Sequence, residues 1–159
     1  MRRAFSEWIT NKASEDEKIY LLVNDIGYGY FDEFKKKFPD RFLNLGITEQ
    51  ATMSIAAGMA LSGLKPYVYS ITPFVTERCL EQIKVDVDCN EANVVIVGYD
   101  DYPNQGPTHA SCGEGEFMCM FPNINSYWPI NGMEVFECLD YIYECNRAGF
   151  LRLRRDKDR

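Results

Sequence analysis

The stretch FLNLGITEQATMSIAAGMALSG, residues 42–63, leaves this chain few ways to fold. It opens with a short apolar run, Phe42 to Leu45, bounded by Pro39-Asp40 before it and Gly46 after it. That length and those boundaries predict a buried strand of a parallel sheet. Thr48 is a good N-cap, small and apolar residues continue to Leu61, and Gly63 stands where a helix would end. Glu49 is thereby placed in the first turn of a largely apolar helix, at the carboxyl end of a strand. In open parallel sheets that edge is where ligands bind.

The rest of the chain repeats the alternation. Residues 4–13 read as an amphipathic helix with Phe5, Trp8 and Ile9 on one face, followed by a buried strand over 19–23 ending at Asn24-Asp25-Ile26-Gly27. A helix runs through Phe31, Phe34 and Phe38 and is closed by Pro39. After the Glu49 helix come a strand over 66–71, a helix from Phe74 to Val87, and a strand over 93–99. The helix is marked by Val75, Cys79, Leu80, Ile83 and Val87. A long loop rich in turn-formers leads to His109, too long to be a simple connector. A short helix near 114–121, a strand at 125–128, a helix at 131–147 and a last strand at 149–153 complete the pattern. The expectation is an α/β fold in one domain over 1–159, with a core of about 19–155. Its parallel sheet would have about six strands and helices on both faces.

Composition narrows the partners. A net charge of −7 argues against nucleic acid, whose binding is driven by cations meeting phosphate. No apolar run approaches the roughly 20 residues needed to span a bilayer, and the beginning lacks the apolar core of a secretory signal. We therefore expect a cytoplasmic protein without membrane or nucleic-acid partners. The six cysteines include no CxxC pair and His109 is the only histidine, so a zinc site of the usual spacing is not expected. In a reducing compartment the cysteines read as small core hydrophobes, Cys138 and Cys145 forming a buried stripe.

Two readings stand for Glu49. It is a first-turn carboxylate complementing the helix dipole, worth roughly 0.3–1 kcal/mol. Alternatively, the nearly charge-free helix is buried on most sides, and a poorly solvated carboxyl at its mouth is suited to proton exchange.

The segments FPDRFLNLGITEQATMSIAAGMALSG, KPYVYSITPFVTERCLEQIKVDV and QGPTHASCGEGEFMCMFPN together resemble the pyrimidine-binding domain of transketolases, above all those split between separate chains. The resemblance runs from about Ile19 to Arg155 and implies the thiamine-diphosphate-binding fold. It also implies that Glu49, in GITEQ, hydrogen-bonds the pyrimidine ring and activates the cofactor, which then acts as an electron sink. Phe74 matches an aromatic that packs on the pyrimidine; as an unaided reading it is a core phenylalanine. Asp25 and Ile26 match a pair close to the cofactor, or are simply a turn and a core residue. His109, in QGPTH, matches a histidine that faces the reacting carbon and handles protons or a developing alkoxide. Arg155 aligns with an arginine that grips a sugar phosphate, and Arg154 fits that place equally well. Other phosphate contacts of the family are missing: Gly27-Tyr28-Gly29 lacks the expected serine, and Gly98-Tyr99-Asp100 lacks a second histidine.

The resemblance also marks what this chain does not carry. No Gly-Asp-Gly is present to hold diphosphate and metal, and no length remains for the family's carboxyl-terminal domain. The implied enzyme is a split transketolase moving a two-carbon ketol unit between sugars or sugar phosphates, the chain being inactive alone. Thiamine diphosphate would be shared with a partner chain, which would hold Mg2+ or Ca2+. The apolar Glu49 helix and Phe117, Met118, Met120 and Phe121 imply interfaces, including self-association around a two-fold axis. Alternatives are a non-catalytic interaction subunit, or the pyrimidine-domain subunit of a 2-oxo acid decarboxylase or dehydrogenase.

Overall fold

A computed structural model describes residues 1–99, 105–113 and 117–155. Much of the loop before His109, the start of the helix expected near 114–121 and the charged tail beyond Arg155 lie outside the described residues.

Alternating apolar side chains drive the sheet. In β1 (Ile19–Val23), Ile19, Leu21 and Val23 face one core while Leu22 faces the other. The same alternation recurs in β3 (Lys65–Ile71), β4 (Val95–Tyr99) and β6 (Gly149–Leu153). With β2 (Phe42–Asn44) and β5 (Asn125–Tyr127) they form a six-stranded sheet in the order β2-β1-β3-β4-β6-β5, every pairing parallel. All carboxyl ends therefore lie on one edge. In the register, Val23 stands opposite Asn44 and Tyr69, and Tyr99 opposite Ile71 and Leu153.

Both faces need cover, and helices provide it. On one face α1 (Arg2–Glu15) contributes Phe5, Trp8, Ile9 and Ala13, α2 (Asp32–Lys37) contributes Phe34, and α6 (Gly132–Cys145) contributes Val135, Leu139 and Ile142. On the other, α3 (Glu49–Leu61) contributes Met53, Ala56 and Ala57 beside Val75, Cys79, Ile83 and Val87. Each fully buried Val, Leu, Ile, Phe or Met side chain among these contributes roughly 1.5–3 kcal/mol. Among the described residues no helix is long and apolar enough to cross a membrane.

Several expectations need correction. The Phe42 strand is not fully buried: β2 is an edge strand, half-buried at Phe42 and Leu43 and exposed at Asn44. The helix after it is covered on one face only. Ala51, Ser54, Ile55, Gly58 and Leu61 look out to solvent, because the sheet covers only the face carrying Met53, Ala56 and Ala57. Thr48 caps by position, but its hydroxyl donates to the Leu45 carbonyl at 2.7 Å instead of receiving an amide of the first turn. Gly63 does end the helix. Its φ of 89° allows Leu64 N to reach Met59 O at 3.1 Å and Gly63 N to reach Ala60 O at 2.9 Å, the paired bonds of a Schellman cap.

The helix expected from Phe74 to Val87 is broken into α4 (Thr72–Val75), a 3-10 turn (Glu77–Cys79), α5 (Leu80–Gln82) and a π-helical turn (Ile83–Asp88). Tightening is followed by widening, so Val75, Cys79, Ile83 and Val87 still fall on one buried face.

The cysteines are not a buried set. Cys79 is buried, Cys138 and Cys145 are half-buried, and Cys89, Cys112 and Cys119 are exposed. Cys138 flanks the α6 stripe of Val135, Leu139 and Ile142 without belonging to it. In the segment after Phe117, Met118 and Phe121 enter the core, and only Met120 of the four apolar side chains is fully outward.

Candidate active site

Glu49 begins α3 at the carboxyl edge of the sheet and is only 4 % exposed. A carboxylate that buried requires a partner. It has one: Nη1 of Arg78 donates to its Oε2 at 2.9 Å. No hydrogen bond from a described residue reaches the other oxygen, Oε1.

The Arg78 guanidinium also lies 3.9 Å over the ring of Phe74, a cation–π contact. Against the same ring stands His109, edge-on, with centroids 4.9 Å apart and planes at 70°. The four side chains Glu49, Arg78, Phe74 and His109 thus form one continuous cluster, drawn from three separate segments.

Local backbone fixes each member. Pro73, the second residue of α4, fixes the start of that helix and puts Phe74 just past β3. Gly106, with φ of 91°, turns the chain so that His109 N reaches Gly106 O at 3.1 Å. Thr108 Oγ1 lies 3.0 Å from His109 Nδ1. Glu77 Oε1 accepts from Cys112 N, joining the segment after His109 to the turn that carries Arg78. Cys79 Sγ donates to Phe74 O at 3.2 Å. Burial first, and then the Glu49 carboxylate, push the Cys79 thiol up to about 12, with Arg78 opposing. This thiol stays protonated at neutral pH and is no nucleophile.

Asp25 and Ile26 belong to an adjoining group where β1 and β2 end. Asp25 has φ of 50°, its amide donates to Asn44 Oδ1 at 3.0 Å, and its carboxylate accepts from the Tyr28 hydroxyl. Ile26 is half-buried and lines a cleft of about 60 Å³ with Tyr28, Phe31 and Phe42. Asn24 ties this group to α3, donating through Nδ2 to Gly46 O at 2.9 Å and Thr52 Oγ1 at 2.8 Å. Arg154 and Arg155 are exposed just beyond β6, on the same edge of the sheet. Arg78 was not among the residues expected from sequence. The available signal was electrostatic: a buried glutamate demands a cation.

A family profile described as "Transketolase, pyrimidine binding domain" matches residues 1–158. The chain belongs to the transketolase pyrimidine-binding domain family. An apulose-4-phosphate transketolase subunit from Actinobacillus succinogenes is 37 % identical over 123 residues, covering 76 % of this chain and 40 % of that protein. The 1-deoxy-D-xylulose-5-phosphate synthase of Acinetobacter baumannii is 31 % identical over 159 residues, covering 95 % of this chain and 24 % of the synthase. Among solved structures, a split-gene transketolase described as an inactive beta4 tetramer superposes with a TM-score of 0.88 at 26 % identity, covering 98 % of this chain and 50 % of its own. This chain therefore spans half or less of each of these relatives. The six-stranded parallel sheet with helices on both faces is the thiamine-diphosphate-binding fold of transketolases.

The cluster suits the pyrimidine half of thiamine diphosphate. Glu49 offers one committed and one open carboxylate oxygen, and Phe74 an aromatic face beside it. Among the described residues no three His, Cys, Asp or Glu side chains group to hold a metal ion.

Proposed function

We propose that this chain is the pyrimidine-binding part of a thiamine-diphosphate-dependent, transketolase-like transferase. In it a separate, diphosphate-binding subunit holds the cofactor's diphosphate and its Mg2+ or Ca2+. The reaction is transfer of a two-carbon ketol unit between sugars or sugar phosphates, in the cytoplasm. The observation that carries this reading is the buried Glu49 carboxylate, held at Oε2 by Arg78 and open at Oε1, next to Phe74 and His109.

When bound, thiamine diphosphate supplies an acidic thiazolium carbon and an electron sink. The chain's residues do the rest. Glu49 Oε1 would hydrogen-bond the pyrimidine ring nitrogen, donating when the carboxyl holds the shared proton and accepting when the ring nitrogen holds it, and the burial of Glu49 would shelter that bond from water. Phe74 packs on the same ring. His109, braced edge-on by Phe74, moves a proton at the sugar oxygen on the reacting carbon. Asp25 and Ile26 border the cofactor where β1 ends. Arg155 meets the anionic end of the sugar substrate, a task suited to a planar guanidinium. The exposed face of α3, with Ala51, Ser54, Ile55, Gly58 and Leu61, supports contact with a further subunit and pairing of two copies about a two-fold axis.

Titration calorimetry with thiamine diphosphate and Mg2+ tests the proposal, comparing the chain alone with the chain purified with its partner. Binding in the assembled complex should be at least about a hundredfold tighter, since the partner is the subunit proposed to hold the cofactor's diphosphate. Equal, tight binding by the chain alone contradicts it.

A further inference from the structure

We infer that Arg78 is a positioning residue for Glu49, holding one carboxylate oxygen so that the other meets the cofactor; this rests on the reading of Glu49 given above. Arg78 touches both elements proposed to meet the pyrimidine ring: its Nη1 lies 2.9 Å from Glu49 Oε2, and its guanidinium stands 3.9 Å over Phe74. It keeps Oε2 occupied and leaves Oε1 without a partner among the described residues. A free carboxylate in a buried site rotates about its last bond and presents either oxygen. A carboxylate pinned by one arm of a planar fork presents one.

The backbone around Arg78 is arranged to keep it there. The helix expected over 74–87 breaks at Thr76, whose φ of −115° and ψ of −85° are not helical. The 3-10 turn that follows has all three residues tied to the cluster. Glu77 receives the Cys112 amide, Arg78 spans Glu49 and Phe74, and Cys79 Sγ donates to the Phe74 carbonyl at 3.2 Å. A regular helix would need none of these side-chain ties. Arg78 is itself 34 % exposed while Glu49 is 4 % exposed, so the arginine reaches inward to the carboxylate while keeping contact with water.

A purely structural ion pair and a positioning residue differ in a double-mutant cycle. The chain is purified with its partner in five forms: unchanged, Arg78→Gln, Arg78→Lys, Glu49→Gln, and Arg78→Gln with Glu49→Gln. The dissociation constant of thiamine diphosphate with Mg2+ is measured for each, and the melting temperature of each isolated chain confirms folding. Arg78→Gln should weaken binding about tenfold and Arg78→Lys by less than about threefold, because lysine keeps the charge but not the fork. In the Glu49→Gln background, Arg78→Gln should add less than about twofold, since its effect passes through Glu49. The isolated double variant should melt above Arg78→Gln, because removing both charges leaves none buried alone.

An equal loss in both backgrounds overturns the inference. So does tighter binding in Arg78→Gln, which would make the arginine an occupant that the cofactor displaces. If Glu49→Gln binds the cofactor as the unchanged chain does, it is the reading of Glu49 that fails.

Discussion

Arg78 and Glu49 are 29 positions apart in sequence, yet Nη1 of the first meets Oε2 of the second at 2.9 Å. The pair joins the opening turn of α3 to the irregular segment after β3, and it does so beside the ring of Phe74. A buried carboxylate, a guanidinium, an aromatic face and a histidine edge stand in one row at the carboxyl edge of the sheet.

Gly98 sets how closely α4 approaches the sheet. A Cβ there would lie 2.9 Å from Thr72 Oγ1, 3.1 Å from Phe150 Cε2 and 3.2 Å from the Thr72 backbone. Gly98→Ala should destabilise the chain by about 1–3 kcal/mol, the range for overpacking a filled core. It should also weaken cofactor affinity in the assembled complex, because Thr72 begins the helix that carries Phe74. Urea unfolding and cofactor titration check the two effects, and an unchanged urea midpoint contradicts the packing argument.

Asp16 ties three elements together at the opposite edge. Its Oδ2 accepts from Lys65 Nζ at 2.8 Å and the Tyr143 hydroxyl at 3.0 Å, and its Oδ1 from Lys18 N at 2.9 Å. Burial alone would raise its carboxyl, but the hydrogen bonds from Lys65, Lys18 and Tyr143 outweigh that and hold it below the ordinary value. A carboxyl depressed in the folded state stabilises the fold above its unfolded value of 3.8 and loses that contribution as pH falls through its folded value. Asp16→Asn should cost about 1–2 kcal/mol at pH 7, as expected for hydrogen bonds to a charged group. The gap between the two proteins in urea unfolding should narrow once the pH drops below 3.8. A gap independent of pH would show that the charge of Asp16 contributes nothing.

The cysteines should divide by exposure. Cys89, Cys112 and Cys119 are exposed, so a thiol reagent at pH 8 should modify them within minutes in the native chain. Cys79 is fully buried and its thiol is raised to about 12, so it should react only on unfolding. Because that thiol binds its proton more tightly when folded, its contribution to stability holds below the unfolded value of 9.0 and is lost as pH rises toward 12. Mass spectrometry of labelled peptides checks the order of reaction. Early labelling of Cys79 would mean that the turn carrying Arg78 opens readily.

The sheet was readable because each inner strand is a short apolar run closed by turn residues; β6 was expected over 149–153 and spans Gly149–Leu153. What covers α3 was not readable. Its small residues fit either a helix packed all round or one with an open face, and only the placement of neighbouring elements decides between them. The break after Val75 was hidden for a different reason. The 3-10 and π turns compensate each other, so the apolar spacing from Val75 to Val87 imitates one regular helix. Of the cluster, Glu49, Phe74 and His109 lie in segments that resemble the family's motifs, whereas nothing in the sequence singles out Arg78, whose place follows from the burial of Glu49.

The account rests most heavily on the carboxylate of Glu49, and exchange of the thiazolium proton of thiamine diphosphate with deuterium tests it most directly. The rate is measured by quenched-flow NMR in the complex of this chain with its partner, for the unchanged chain and for Glu49→Gln. With the cofactor supplied at saturating concentration to offset the weaker affinity of the variant, the account predicts assembly and full occupancy in both, with exchange slower by about 10²–10⁴-fold in the variant, the usual range for a positioned acid–base group. Exchange at the unchanged rate in a fully loaded Glu49→Gln complex would contradict it.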